Sequence, residues 1–212
     1  MKIAMINGSP KVKESNSQYL LSELNKLIEN NNEVVQFNIK KGLSDEEFEQ
    51  IYSCKRIVFA FPIYVDELPS HLLSVLVELQ EQFNSRKNKD IMVYAMSNCG
   101  FYEGEQNELA IEIVKNWCKR CNLTFGQGLG MGAGEMMGKI KNVPIGHGPK
   151  KNLGKGLNLF AENIQEGNEE ENIYISPNFP RFAFKLCATY FWNCMGKENG
   201  LKRKDLFRKE HL

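Results

Sequence analysis

Short apolar runs and longer stretches of helical periodicity take turns along the first 130 residues. Residues 3–6 form an uninterrupted apolar run of strand length. Leu20, Leu21, Leu24, Leu27 and Ile28 then recur on one helix face and predict a helix over residues 18–29. Val35, Phe37 and Ile39 alternate in a second strand, residues 33–39. A short helix follows over residues 45–52, with Ser44 as its cap. Residues 56–61 are a buried strand stopped by Pro62, and residues 69–83 a helix with Leu72, Leu73, Leu76 and Leu79. Residues 91–96 read as a fourth strand, and 105–121 as a helix with Leu109, Ile113, Val114 and Trp117. A fifth strand starts at residues 123–125. This alternation predicts an open parallel sheet covered by helices on both faces.

Beyond residue 125 the pattern loosens. Residues 126–138 are rich in glycine and hold Met131, Met136 and Met137, which predicts a mobile, apolar cover over a ligand. Leu153, Leu157, Phe160, Ala161 and Ile164 mark a further helix over residues 152–164. Residues 166–172 are an acidic linker, 173–180 are extended with two Pro, and 181–195 form a helix that is apolar nearly all round. The division expected is residues 1–165 as one domain and 166–212 as a C-terminal helical extension.

Composition narrows the function classes. Lys and Arg number 27 against 26 Asp and Glu, so no global basicity points to nucleic acid. No apolar run reaches the ~20 residues of a membrane span. The N-terminus reads as a strand, without the pattern of a signal peptide. The six Cys are scattered through a chain of cytoplasmic character, where reduced thiols are the expectation.

Candidate chemistry lies where strands end. In an open parallel sheet, ligands bind beyond the carboxyl ends of the strands. Three loops meet that condition. The first, Asn7-Gly8-Ser9-Pro10-Lys11 to Ser15-Asn16-Ser17, runs from a strand into a helix N-terminus. Free N–H groups and the positive end of the helix dipole suit a phosphate there, and the Ser and Asn side chains add donors. An ordinary capped turn would look the same. The second, Pro62-Ile63-Tyr64 to Leu68-Pro69, offers backbone and an aromatic face to a flat heteroaromatic ring. The third, Asn98-Cys99-Gly100-Phe101, allows unusual backbone geometry at Gly100 and an aromatic wall.

Together these pieces resemble the flavodoxin-like NAD(P)H-dependent FMN reductases, over about residues 1–130. The resemblance implies a doubly wound α/β fold of five parallel strands in order 2-1-3-4-5. It implies FMN as cofactor and NAD(P)H as co-substrate. Ser9, Ser15, Asn16 and Ser17 would hold the phosphate, with Lys11 a further cofactor-binding residue. Pro62, Ile63, Tyr64, Asn98, Cys99, Gly100 and Phe101 would cradle the ring system. The acceptor would be a small molecule: flavin, quinone, azo or nitro compound. No side chain need act as an acid or base, because the isoalloxazine carries the chemistry. An FMN-binding electron carrier is the competing reading.

Other motifs count for less. Gly128 to Ala133 fits a loose dinucleotide pattern, but no helix signal opens there. Cys118 and Cys121 form a CxxC at the end of a helix, where packing explains them better than redox chemistry or zinc. No metal site or iron–sulfur cluster is expected. His71 is a candidate proton donor at the ring edge. The aromatic segment 182–195 suits contact with a second copy in a homodimer, packing on its own domain, or a membrane surface beside its basic end. Subunit contact is the first expectation.

Overall fold

The computed structural model describes residues 1–11, 15–39, 42–86 and 90–208. Residues 12–14 of the first candidate loop lie outside the described residues. The chain divides into two units, Met1–Pro177 and Asn178–Leu212.

The first unit is a parallel sheet of six strands: β1 (Lys2–Asn7), β2 (Glu33–Asn38), β3 (Arg56–Pro62), β4 (Met92–Asn98), β5 (Thr124–Met131) and β6 (Ile173–Ile175). Their order is β2-β1-β3-β4-β5-β6. β1 is paired on both sides, with Ala4 opposite both Val35 and Ile57. The order reverses between β1 and β3, so the loops leaving β1, β3 and β4 diverge around one switch point. This is a flavodoxin-like sheet, with one strand more than the five expected.

Helices cover both faces, as the continuous burial along β1, β3 and β4 requires. On one face α2 (Asp45–Tyr52), α3 (Ser70–Asn84) and α4 (Glu108–Arg120) pack on Ala4, Ile6, Ile57 and Phe59. On the other, α1 (Asn16–Ile28), α5 (Gly134–Lys139) and α6 (Lys151–Glu166) pack on Ile3, Met5, Val58 and Tyr94. Ser44 caps α2 in a reciprocal box, its hydroxyl accepting from Glu47 N while the Glu47 carboxylate accepts from Ser44 N.

The glycine-rich stretch is where structure departs from expectation. Residues 124–131 are a strand, not the start of a mobile cover. Met131 and Met137 are fully buried in the core, and Met136 is half-buried against it. The glycines there provide clearance. A Cβ on Gly126 would stand 2.5 Å from the Tyr94 ring, and one on Gly128 would stand 2.4 Å from Ile111. Gly128 and Gly130 therefore sit within a strand, not in a phosphate-binding turn.

The sixth strand comes from the segment expected to begin the extension. Ile173 pairs with Leu129 and Ile175 with Met131, while Gly128 N donates to the Asn172 side chain at 2.8 Å. Residues 166–177 thus belong with the sheet. The second unit holds α7 (Arg181–Glu198) and a turn in which Leu206 lies against Gly196. Among the described residues no helix is long and apolar enough to cross a membrane.

Candidate functional site

Eleven of the twelve residues singled out from the sequence line one cavity of about 170 Å³ at the carboxyl ends of β1, β3 and β4. They are Ser9, Lys11, Ser15, Asn16, Ser17, Pro62, Ile63, Tyr64, Asn98, Cys99 and Gly100. Phe101 is not among them. It is 56% exposed, and its carbonyl accepts from Ala133 N and from the Cys99 thiol.

At one end of the cavity α1 begins. Ser15 is its cap, the hydroxyl oxygen accepting from Gln18 N at 3.0 Å. Asn16 and Ser17 follow, and a first helical turn leaves such N–H groups without intrahelical partners. The Ser17 hydroxyl accepts from Asn98 Nδ2 at 3.1 Å, and the Ser9 hydroxyl accepts from Lys11 N at 3.4 Å. Each of the three hydroxyls is therefore engaged through its oxygen. Each keeps its proton to donate outward. Ser9, Ser15 and Ser17 are all buried, so water hydrates them poorly. Three preset O–H donors, first-turn N–H groups and the Lys11 ammonium make a cradle for an anion.

Asn7 and Asn98 hold this end together. Asn7 Nδ2 donates to Gln18 at 3.1 Å and to Asn38 at 2.9 Å, while its oxygen accepts from Ser9 N at 3.1 Å. Asn98 Nδ2 donates to Ser17 and also to the Phe61 carbonyl at 3.1 Å. One amide therefore joins the ends of β3 and β4 to the start of α1.

The other end is more apolar. Pro62, Ile63 and half-exposed Tyr64 form one side. Tyr64 and Glu67 exchange backbone hydrogen bonds across a tight turn, which puts Val65 at φ +51° and Asp66 at φ +64°. A β-branched residue in that left-handed region is strained, and Val65 is 95% exposed with nothing packed on it. In the third loop a Cβ on Gly100 would meet nothing within 4 Å, so open space lies above its backbone. Cys99 is buried behind it. Its thiol is pushed up by burial and accepts from Asn107 Nδ2 at 3.5 Å.

Glu135 also lines the cavity, and sequence reasoning missed it. It arrives on α5, directly after β5. In the sequence, residues 123–125 read as the start of β5 and 126–138 as a glycine-rich loop, which hides the fact that β5 runs on to Met131 and that its carboxyl end reaches the same sheet edge. His71, on the first turn of α3, does not line the cavity, and its Nε2 is buried with no hydrogen-bond partner. Cys118 and Cys121 are core residues. Burial pushes the Cys121 thiol up to about 12, and Cys118 further still. Among the described residues, no group of three or more His, Cys, Asp or Glu is placed to hold a metal.

No sequence-family model matches this chain. No curated protein matches it either. Solved structures do. An NADPH-quinone reductase from P. pentosaceus superposes with a TM-score of 0.56 at 14% identity, over 77% of this chain and 96% of its own. Azoreductase AzrA gives 0.51 at 14% identity, over 78% and 100%. The rubredoxin oxygen:oxidoreductase of Desulfovibrio gigas gives 0.55 at 12% identity, over 78% of this chain and 35% of that longer one. At these identities the likeness shows the fold.

Proposed function

We propose that this chain is a flavodoxin-like oxidoreductase that binds FMN and passes electrons from NAD(P)H to a small acceptor. The observation that carries the reading is the set of three buried serine hydroxyls, each accepting from within the chain and each left with a proton to donate. That set fits a phosphate monoester. The apolar, aromatic end beside it fits a flat ring. Two of the solved structures that share this fold bear the names of an NADPH-quinone reductase and an azoreductase.

In this reading Ser9, Ser15, Asn16, Ser17 and Lys11 hold the phosphate. Pro62, Ile63, Tyr64, Asn98, Cys99 and Gly100 position the ring. When bound, FMN supplies hydride acceptance and onward electron transfer. The residues around it bind and orient. The backbone at Gly100, where a Cβ would meet nothing within 4 Å, would leave room for a second molecule beside the ring. NAD(P)H and acceptor would use that room in turn, which would give ping-pong kinetics. FMN is preferred over FAD and riboflavin, because the donor set matches one terminal phosphate.

The test is direct. Purified protein is expected to be yellow, and heating should release a flavin that chromatographs as FMN. Anaerobic mixing with NADH and with NADPH should bleach it, and an acceptor panel of quinone, azo and nitro compounds should restore the colour. Colourless protein that fails to bind added FMN overturns the proposal. Bound FMN that neither nicotinamide reduces identifies an electron carrier instead. Intersecting double-reciprocal lines would replace the shared face with a ternary complex.

A further inference from the structure

Charge is divided unevenly between the two units. Residues 178–212 hold eight Lys and Arg against three Asp and Glu, whereas residues 1–177 hold nineteen against twenty-three. The basic unit is also the aromatic one. On α7, Phe182, Leu186 and Tyr190 recur every fourth residue along one side and are 70, 67 and 73% exposed. Trp192 and Phe207 are 60 and 73% exposed. Gly196 is the one residue of α7 that is buried. Lys185, Thr189, Asn193 and Lys197, with the same spacing, run in the neighbouring row, between the apolar one and Trp192. Cations stand at both ends: Arg181 and Lys185 at the start, then Lys197, Lys202, Arg203, Lys204 and Arg208.

We infer that this unit docks on the surface of a bilayer containing anionic phospholipid. Phe, Tyr and Trp are the side chains that settle at headgroup level, apolar body inward and polar tip in water. Lys and Arg beside them reach the lipid phosphates with their long stems. α7, about 27 Å long at 1.5 Å per residue, lies along that surface, since it is not apolar enough to cross. The excess of cations selects the occupant. A two-fold dimer built on this patch would set the same patch against itself. It would therefore oppose two clusters of like charge, whereas an anionic surface offers the complementary one. The inference goes beyond the flavin reading and does not depend on it. If both hold, the reductase sits where lipid-soluble quinones are within reach.

The experiment uses the full chain and vesicles of phosphatidylcholine, with and without phosphatidylglycerol. The protein should cosediment with the phosphatidylglycerol vesicles at low salt and be released at high salt. Tryptophan emission should shift to the blue on binding. W192F should abolish that shift, because Trp117 is already in the core. K202Q/R203Q/K204Q should weaken binding on the order of a hundredfold, at roughly tenfold or less per cation near the surface. F182A/Y190A/W192A should weaken it as well, with far-ultraviolet circular dichroism and thermal stability unchanged, which shows that the sheet unit is intact. No binding to phosphatidylglycerol vesicles at low salt overturns the inference. So does equal, salt-insensitive binding to both vesicle types. A concentration-dependent dimer in sedimentation, abolished by the aromatic triple variant and unaffected by vesicles, would assign the patch to a second copy of the chain.

Discussion

Asn98→Ala separates the scaffold of the site from its ligand contacts. The side chain is 4% exposed and donates at 3.1 Å to both the Ser17 hydroxyl and the Phe61 carbonyl. Its backbone carbonyl accepts from Ile63 N at 3.0 Å, a bond that alanine keeps. The variant thus loses two side-chain hydrogen bonds, each worth about 0.5–1.5 kcal/mol net, in a site too enclosed for free rehydration. The loss is about 2 kcal/mol, or roughly 4–8 °C in Tm for a chain of this size. The same change unties α1 from the ends of β3 and β4. The Ser17 hydroxyl, no longer held through its oxygen, gains rotational freedom and points its proton outward less often. FMN should then bind at least about tenfold more weakly, one lost or misaligned hydrogen bond to an anion being worth about 1.5–3 kcal/mol. Urea unfolding of the flavin-free protein measures the first effect, and flavin fluorescence titration the second. Asn98→Asp keeps the shape but turns a donor into a charged acceptor facing two oxygens, so both effects should grow. If Asn98→Ala stays within about 0.5 kcal/mol of the parent and binds FMN equally well, the amide is not the clamp that its hydrogen bonds suggest.

Ser17→Asp should abolish FMN binding while the protein stays folded, because an acidic residue in a first helical turn stabilises the helix but repels a phosphate; circular dichroism and flavin content read the two effects separately. Gly104→Ala should destabilise by several kcal/mol, since the new Cβ would stand 2.7 Å from the Ile175 carbonyl and 2.8 Å from that of Gly130, neither of which can yield without shifting β6 or β5; a soluble variant with an unchanged urea midpoint would contradict this. Val65→Asn should stabilise by roughly 1 kcal/mol, because asparagine tolerates the left-handed backbone that valine resists; a lowered midpoint would show that the turn is not strained. Burial raises the Tyr94 hydroxyl to about 12, where it donates to the Asn163 carbonyl at 2.8 Å. The fold favours the neutral phenol, so this stability is complete below pH 10 and is lost as pH rises from 10 towards 12. Tyr94→Phe should flatten that part of the alkaline unfolding profile, and an unaltered profile would assign the loss to other groups.

The alternation of strand and helix was legible in the sequence because it is local. Burial on both faces of β1 and β3 demands continuous apolar runs, and α1, α3 and α6 show one apolar face at helical spacing. The cavity was legible for a related reason. Ligand loops lie at strand ends, and strand ends are marked by Asn7-Gly8, Pro62 and Asn98. What lay beyond β4 was decided by tertiary contact. Gly126 and Gly128 look like loop residues until Tyr94 and Ile111 are seen filling the space their side chains would occupy. Met131 and Met137 look like an adaptable cover until both are found in the core. β6 is three residues long, too short to show a period, and exists because β5 offers an open edge and Asn172 ties to Gly128. Glu135 reached the cavity through the unforeseen length of β5, which carries the chain to α5 at the same sheet edge. Periodicity reports how a segment meets a surface; it cannot report which distant side chain needs the room.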